Sequence, residues 1–197
     1  METWLFKKIF SLLFIFLGDK VDFDAKISKT TGYKEPIKNA VNSYNNYIES
    51  PPPKILDLAA GTGAISLYLS KVFNDSQIIG IDISTGMLAK AREKAQKSEI
   101  DNIEFLHGDI YDLPFPDSEF SLVTVSNAIF SFNEVSRILK DNGILIVSLS
   151  NISLSLNNNK INNKIGKYNL QVIDISNKNE TGFYLILQKR SVSNENL

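Results

Sequence analysis

The chain alternates short apolar runs with stretches of helical periodicity from residue 54 onwards, and this alternation constrains its fold more than any other feature. Short apolar runs are typical of buried strands, and apolar residues three or four positions apart are typical of helices. Repeated strand–helix units predict a doubly wound α/β domain, in which helices cover both faces of a mostly parallel sheet. The predicted strands span residues 54–58, 78–82, 103–106, 120–126 and 144–149. The predicted helices span residues 64–73, where Ile65, Leu69 and Val72 share the inward face, 84–97, where Ser84 is the N-cap, and 133–140.

Two further strands are predicted near the end of the chain, at residues 170–175 and 183–188. The turn region between them, residues 177–182, is too short to hold a crossover helix, so the two strands should be antiparallel. Residues 151–163 are rich in asparagine and only weakly periodic, which predicts a loop.

Three consecutive prolines at positions 51–53 stop any helix that reaches them. We therefore predict a helical N-terminal extension over residues 1–50 and a domain over residues 51–197. Residues 4–17 of the extension are nearly all apolar, but they are fewer than the roughly 20 residues needed to span a bilayer. No small-residue cleavage site follows them. This segment has three interpretations: it packs on the domain, it contacts a membrane surface peripherally, or it is a targeting signal.

The charge balance and the rare residues exclude several classes of function. Lys and Arg total 21 and Asp and Glu total 22, so the net charge is -1 and we expect no nucleic-acid partner. The chain has no Cys and a single His, His107, which excludes thiolate and multi-His metal sites. We expect no metal, and we predict a structural or solvent-facing role for His107.

The candidate site residues follow three of the predicted strands, where the carboxyl ends of parallel strands form ligand sites. Asp57 precedes a loop with Gly61 and Gly63, and glycines allow a tight turn and close approach of a ligand at a helix N-terminus. Asp82 ends the second strand, 19 residues after Gly63, where a carboxylate can accept hydrogen bonds from a ribose. Asp109 follows the third strand and can accept from an adenine amine.

Two classes of cofactor, dinucleotides and S-adenosylmethionine, bind to a glycine loop that is followed by acidic residues at the ends of the next strands. A dinucleotide fingerprint would have a third glycine where this chain has Ser66. The acid at Asp57 has no purpose beside a pyrophosphate, whereas a cationic cofactor with an amino group would tolerate it or use it. The sequence therefore favours S-adenosylmethionine, and a nucleotide-dependent oxidoreductase stays as a third interpretation of the whole chain.

Four motifs of this chain resemble those of class I S-adenosylmethionine-dependent methyltransferases, over about residues 54–150. The loop and the segment after the fourth strand are most similar to the subgroup of ubiquinone and menaquinone biosynthesis C-methyltransferases. The resemblance implies a Rossmann-like seven-stranded sheet with an antiparallel last strand, S-adenosylmethionine as cofactor, and methyl transfer to a small apolar or lipid-like acceptor. The motifs are ILDLAAGTG (55–63), IGIDISTGML (79–88), GDIYDLPFPDSEFSLVTVS (108–126) and EVSRILKDNGIL (134–145).

The resemblance also implies a set of cofactor-binding residues, but no catalytic residue. These are Asp57, Ala59, Gly61, Thr62 and Gly63 at the methionine end, Asp82 at the ribose, Ile83 and Met87 flanking the adenine, Asp109 and Ile110 at its edge, and Ser126 facing the methionine part.

The chain departs from the family pattern between Ser126 and Arg137, where it is about two helical turns shorter than usual. This segment normally helps to cover the active site, so the alternative function is a noncatalytic protein that binds S-adenosylmethionine or another partner. In the extension, Tyr33, Glu35 and Tyr44 are candidates to approach the open methyl side. We expect a cytoplasmic protein, with residues 4–17 as its candidate contact to a membrane.

Overall fold

The structure is a computed structural model, in which residues 33–150, 163, 165–176 and 182–191 are described. The apolar segment 4–17, most of the asparagine-rich segment 151–163 and most of the predicted turn at 177–182 lie outside the described residues.

Seven strands of the described chain form one sheet in the order β3-β2-β1-β4-β5-β7-β6. Strands β1 to β5 pair in parallel, and β7 runs antiparallel to both of its neighbours, β5 and β6. This topology confirms the predicted doubly wound α/β fold with an antiparallel last strand. The strands are β1 (Lys54–Leu58), β2 (Gln77–Asp82), β3 (Ile103–His107), β4 (Phe120–Ser126), β5 (Leu139–Leu149), β6 (Leu170–Ile175) and β7 (Phe183–Lys189).

Four α-helices and one short 3-10 helix are found in the described residues. The best capped of them begins after Ser84, whose hydroxyl accepts a hydrogen bond from the Met87 N–H at 3.3 Å, as the sequence predicted. The helices are α1 (Glu35–Tyr44), α2 (Ser66–Val72), α3 (Thr85–Lys97) and α4 (Phe132–Ile138), and the 3-10 helix is Gly166–Tyr168.

Alternation along the strands separates the buried side chains into layers on the two faces of the sheet. Leu56 and Leu58 of β1 lie in the larger apolar cluster, together with Val135 and Ile138 of α4. Ile55 points the other way, into a cluster with residues of α1 and α2. The central strands are buried on both faces and are mostly apolar, as is typical of a parallel sheet, although Asp57 of β1 and Thr124 of β4 are buried polar residues.

Helix α1 lies in the predicted extension, yet it shares a core with the sheet. Ile37, Ala40, Val41 and Tyr44 recur at helical spacing and are buried together with Ile55 of β1. Among the described residues, α1 before the three prolines and the sheet after them therefore pack together in one apolar core.

The prediction that Tyr44 approaches the methyl side is wrong. Its ring packs edge-on against Phe73, which ends α2 at the amino edge of the sheet, with 6.2 Å between the ring centroids. Glu35 forms an ion pair with Lys38 at the start of α1.

The main differences from the predicted elements lie at their ends. Strand β5 begins at Leu139 rather than Ile144, because Leu139 pairs with Phe120 ahead of an irregularity in the ladder. Asn142 within β5 has a φ of 61°, a left-handed conformation that asparagine tolerates better than most residues. No helix among the described residues is long and apolar enough to cross a membrane.

Candidate functional site

The strand order reverses between β1 and β4, which lie side by side at the centre of the sheet. In open α/β sheets such a switch point leaves a crevice outside the carboxyl ends of the strands, and ligands bind there. The candidate residues from the sequence are at this edge of the sheet.

The loop after β1 makes a tight turn with an unusual backbone. Ala59, Gly61 and Gly63 all have positive φ, at 55°, 55° and 78°. The loop is fixed to β2, because the Ala60 N–H donates to the carbonyl oxygen of Ile81 at 3.0 Å. A Cβ atom at Gly63 would lie 3.0 Å from Phe105, so glycine is needed there for close packing.

Gly61 differs from Gly63, because a Cβ atom there would make only ordinary van der Waals contacts. A Cβ atom there would meet only Sδ of Met87 at 3.7 Å and the carbonyl oxygen of Ala59 at 4.0 Å. A ligand can therefore come close to the backbone of Gly61. On the other side of the loop, Nζ of Lys94 in α3 donates to the carbonyl oxygen of Thr62 at 3.0 Å, which ties the loop to that helix.

Asp82 ends β2 beside this loop and is 8% exposed. Its Oδ2 accepts a hydrogen bond from the Gly61 N–H at 2.8 Å, and its Oδ1 accepts from the Ser84 N–H at 2.9 Å. Burial raises the pKa of this carboxyl above its ordinary value, and the backbone N–H groups counteract the rise. Each carboxylate oxygen has a second lone pair, so the side chain can accept further hydrogen bonds from a ligand.

Asp57 lies deeper, at 1% exposure. Its Oδ2 accepts from the Ser66 hydroxyl at 2.5 Å, and its Oδ1 accepts from the Thr124 hydroxyl at 2.8 Å. Burial raises its pKa to about 6, and the two hydroxyl groups hold the pKa below what burial alone would give. Asp57 thus joins β1 to α2 and β4, and it places a negative charge beneath the crevice.

The residues expected around an adenine lie on two sides of the crevice. Met87 is buried in the first turn of α3, and Ile83 is half-buried directly after Asp82. Asp109 is exposed, and its Oδ1 accepts from the Tyr111 N–H at 2.8 Å in the loop after β3. Ile110 packs partly buried against the larger apolar cluster.

Ser126 lies at the end of β4 and contacts the neighbouring strand. Its hydroxyl is 2.7 Å from the hydroxyl of Ser148, the residue opposite it on β5. Because side chains alternate along a strand, Ser126 shares its sheet face with Thr124. The side chains on this face of the sheet are apolar around Ile146. They are polar at the carboxyl edge, next to Asp57.

The next residue, Asn127, begins a short link to α4 and was missed by sequence reasoning. Its φ is 54°, its N–H donates to the Ser148 carbonyl oxygen at 2.9 Å, and its side-chain Oδ1 accepts from the Ser150 N–H at 2.8 Å. Asparagine tolerates positive φ better than most residues, and that preference at a strand end was the signal available in the sequence. Thr124, Ser66 and Ser148 were also missed, although Thr124 lies two positions from Ser126.

The loop between β3 and β4 is fastened to α4. Arg137 donates to the carbonyl oxygens of Leu113 at 3.0 Å and Phe115 at 2.7 Å, and it pairs with Glu134 at 2.8 Å. The hydrogen bond from Arg137 lowers the pKa of Glu134. The Tyr111 hydroxyl donates to the carbonyl oxygen of Ile129 at 3.4 Å, which connects this loop to the link before α4.

His107 is exposed at the end of β3, opposite Asp82 in the strand register. This position agrees with the predicted solvent-facing role. Among the described residues no group of three or more His, Cys, Asp or Glu side chains could hold a metal ion.

The residues at this edge fit S-adenosylmethionine, which carries a sulfonium and an ammonium group. The missing side chain at Gly61 lets a ligand come close to the backbone, and Asp57 and Asp82 give the crevice negative charge. A dinucleotide pyrophosphate would instead be repelled by the buried carboxylate of Asp57, which a dinucleotide site does not need.

Comparison with known proteins agrees with this geometry. Residues 55–143 match a family model described as a methyltransferase domain. The demethylmenaquinone methyltransferase of Thermus thermophilus is 36% identical over 107 residues, which make up 51% of this chain and 48% of that protein. The chain thus spans about half the length of the curated relatives it matches.

Solved structures show the same fold at low identity. A SAM dependent methyltransferase from Aquifex aeolicus has a TM-score of 0.67 and 18% identity, over 84% of this chain and 97% of that one. The [4+2]-cyclase SpnF has a TM-score of 0.62 and 16% identity, over 77% of this chain and 82% of that one.

Over residues 55–143 the chain is similar to methyltransferase domains, and its fold is that of a solved SAM dependent methyltransferase, which confirms the resemblance seen in the motifs. The relatives matched by sequence include the demethylmenaquinone methyltransferases of Thermus thermophilus and Staphylococcus aureus, so the resemblance extends to the quinone-methyltransferase subgroup. The family and the fold imply S-adenosylmethionine as the cofactor.

Proposed function

We propose that this chain binds S-adenosylmethionine across the carboxyl ends of β1, β2 and β3 and transfers its methyl group to a small, apolar, quinone-like acceptor. The observation that carries the proposal is the glycine loop at the switch point, with its Gly61 N–H bound to Asp82 and the buried charge of Asp57 beneath it. The names of the curated relatives support the acceptor class.

In this proposal each part of the cofactor has its own residues. The ribose hydroxyls bind Asp82 through the lone pairs that its backbone partners leave, and the methionine end lies over the glycine loop toward Ser126. The adenine lies between Ile83 and Met87 on one side and Asp109 and Ile110 on the other. Ala59, Thr62 and Gly63 shape the loop, and Asp57 supplies negative charge for the cationic end.

When bound, S-adenosylmethionine supplies an electrophilic methyl group. The chain has to bring an acceptor atom into line with that group and to exclude water, and positioning of this kind accounts for much of the rate of a displacement. The crevice next to Ser126 and Ser148, at the ends of β4 and β5, is the side left for the acceptor.

Calorimetry on the full chain tests cofactor binding. S-adenosylmethionine and S-adenosylhomocysteine should bind, and NAD should not. Asp82→Ala should weaken binding, whereas Asp101→Ala is the matched control, because Asp101 is an exposed acid at the opposite edge of the sheet. Tight binding of NAD in place of the methyl donor would support the oxidoreductase interpretation and overturn the proposal.

Turnover of methyl-labelled S-adenosylmethionine tests the reaction. The label should enter an organic extract when the acceptor is a reduced naphthoquinone or a membrane-lipid extract, and it should not enter nucleic acid. The link of only five residues, 127–131, between β4 and α4 is the observation that favours the second candidate, a noncatalytic binding protein. That candidate predicts binding of the cofactor without transfer to any of these acceptors.

We also propose that residues 4–17 contact a membrane surface, because Phe6, Phe10 and Phe14 recur at helical spacing beside Lys7 and Lys8. Deletion of residues 1–17 should abolish flotation with anionic liposomes and leave the melting temperature nearly unchanged. A large fall in melting temperature would show instead that the segment covers the domain. Full-length protein that never floats with the liposomes would overturn the proposal.

A further inference from the structure

The residues that follow Gly108 form a tight turn at the carboxyl end of β3. Asp109 and Asp112 form an isolated antiparallel bridge, and the Asp112 N–H donates to the carbonyl oxygen of Asp109 at 3.1 Å. Oδ1 of Asp109 accepts from the Tyr111 N–H at 2.8 Å, which orients the carboxylate within the turn. The position of Asp109, and of Ile110 beside it, is therefore set by the position of the whole turn.

The start of this turn is fixed to β2. The Gly108 N–H donates to the backbone carbonyl oxygen of Asp82 at 3.1 Å. A Cβ atom at Gly108 would lie 2.7 Å from Cδ1 of Ile81, so the backbone of the turn lies directly against this strand. The turn thus begins beside the residue that is proposed to bind the ribose.

The end of the turn is fixed to α4 by two charged side chains. Oε2 of Glu134 accepts from the Leu113 N–H at 3.0 Å, and Nη2 of Arg137 donates to the Leu113 carbonyl oxygen at 3.0 Å. Arg137 also donates to the carbonyl oxygen of Phe115 at 2.7 Å and to Oδ1 of Asp117 at 3.0 Å. Both backbone groups of the residue that follows the turn are therefore held by one helix.

Glu134 and Arg137 also hold each other. Nε of Arg137 donates to Oε1 of Glu134 at 3.2 Å, and Nη2 donates to Oε2 at 2.8 Å, which is a two-point contact between planar groups. Ser131 and Glu134 have the spacing of a capping box, in which the acid would reach back to the N-cap residue. The carboxylate of Glu134 instead contacts Arg137 and Leu113, so the pair is directed toward the loop as well as toward its own helix.

We propose that Glu134 and Arg137 set the position of Asp109 relative to Asp82, and so give the site its preference for adenine over bases that lack the 6-amino group. This inference rests on the proposed function, in which Asp109 lies at the edge of the adenine and Asp82 binds the ribose. The spacing of the two acids has to match an adenosine, because hydrogen bonds weaken steeply away from their best geometry. Glu134 and Arg137 are positioning residues that act through Asp109.

The competing explanation is that the pair only stabilises α4 and the loop. The ratio of the affinities for S-adenosylhomocysteine and S-inosylhomocysteine separates the two explanations, because the second ligand has a carbonyl oxygen in place of the 6-amino group. An unfolded fraction lowers both apparent affinities by the same factor, so a loss of stability alone leaves the ratio unchanged. Calorimetry on the full chain measures both affinities.

Two conservative variants test the pair. Glu134→Gln keeps the shape of the side chain but replaces one carboxylate oxygen by a donor, and Arg137→Lys keeps the charge but loses the two-point contact. Arg92→Lys is the matched control, because Arg92 of α3 donates to the carbonyl oxygen of Phe105 at 2.6 Å, within β3 and before the turn. Asp109→Ala gives the ratio that remains without the acid itself.

Wild type should bind S-adenosylhomocysteine about 5- to 10-fold more tightly than S-inosylhomocysteine, which is the effect of about one hydrogen bond. Asp109→Ala, Glu134→Gln and Arg137→Lys should each reduce this ratio to about 2-fold or less, and Arg92→Lys should keep it. Asp109→Ala combined with Glu134→Gln should have the ratio of Asp109→Ala alone, because the two residues act on one contact.

If either Glu134→Gln or Arg137→Lys keeps the wild-type ratio, or if Arg92→Lys loses it, the inference is wrong while the proposed function stands. If wild type binds the two ligands equally, the 6-amino group is not recognised, and the role of the pair fails although cofactor binding stands. If wild type binds neither ligand, the proposed cofactor site fails, and the inference fails with it.

Discussion

The backbone N–H of Gly61 donates to Oδ2 of Asp82 over 2.8 Å, so the loop after β1 and the end of β2 are held as one rigid unit. The carboxylate therefore has two roles at once, because the group expected to bind a ribose also fixes the loop expected to bind the methionine end. Its removal should affect both halves of a bound cofactor.

Asp82→Ala should accordingly lower the affinity for S-adenosylmethionine by about 10- to 150-fold, which corresponds to about 1.5–3 kcal/mol for a charged hydrogen-bonding partner. Asp82→Asn should have a smaller effect, because one amide oxygen can still accept from the Gly61 N–H. Isothermal titration calorimetry measures both variants. Unchanged affinity in Asp82→Ala would remove Asp82 from the site.

Asp57 should make the stability of the fold depend on pH. Its pKa of about 6 lies above the ordinary value of 3.8, so the ionised form is disfavoured in the native state. The contribution of this group is fully present below pH 4 and is lost as the pH rises through 6, with an upper bound of about 3 kcal/mol. Asp57→Asn keeps both hydroxyl partners through its amide and does not titrate.

The free energy of unfolding of Asp57→Asn, measured by urea denaturation, should therefore rise relative to wild type between pH 4.5 and pH 8. Subtracting the wild-type curve cancels the titration of other groups, such as Glu134. Parallel curves for the two proteins would show that Asp57 titrates normally in the fold.

Gly63→Ala should destabilise the domain, because the new methyl group would lie 3.0 Å from both Ala91 and Phe105. Overpacking of this kind costs about 1–3 kcal/mol, and the positive φ of 78° adds strain for any residue with a Cβ atom. Gly166→Ala is the control, because nothing lies within 4 Å of its added methyl group. Equal urea midpoints for the two variants would contradict the packing described around the glycine loop.

Tyr44→Ala should destabilise the domain by about 3 kcal/mol or more, because it empties a fully buried aromatic site next to Phe73. Tyr47→Ala should change the free energy of unfolding by less than about 0.5 kcal/mol, because Tyr47 is 49% exposed. Thermal or urea denaturation of the two variants tests whether α1 is an integral part of the domain. Similar small effects from both would mean that α1 is dispensable to the fold.

The sequence predicted the strands and helix ends that depend only on residues close together in the chain. Strands β1, β4 and β6 have the predicted bounds, because each is a short segment in which most residues are apolar. Ser84 was predicted as a cap from its position alone. The start of β5 at Leu139 could not be predicted, because it depends on pairing with Phe120, a residue distant in sequence.

The site was predictable to a similar degree. Gly61 and Asp82 were identified because their spacing reflects one strand–helix–strand unit. The partners of Asp57 were not, since hydrogen bonds from Ser66 and Thr124 depend on how α2 and β4 pack around β1. Val72 shows the same limit, because helical spacing placed it inward and the structure leaves it 40% exposed.

The core that α1 shares with the sheet has a consequence for the order in which the chain folds. Helix α1 leaves the ribosome early, but two of the strands that it packs against, β5 and β7, are made late. Closing a loop of this length costs conformational entropy that only the completed sheet can offset, so docking of α1 should follow the rate-limiting step. Val41→Ala, which trims the buried face of α1, should therefore speed unfolding in stopped-flow experiments and leave the folding rate nearly unchanged. The first helix of the described chain would then be the last element to lock into place.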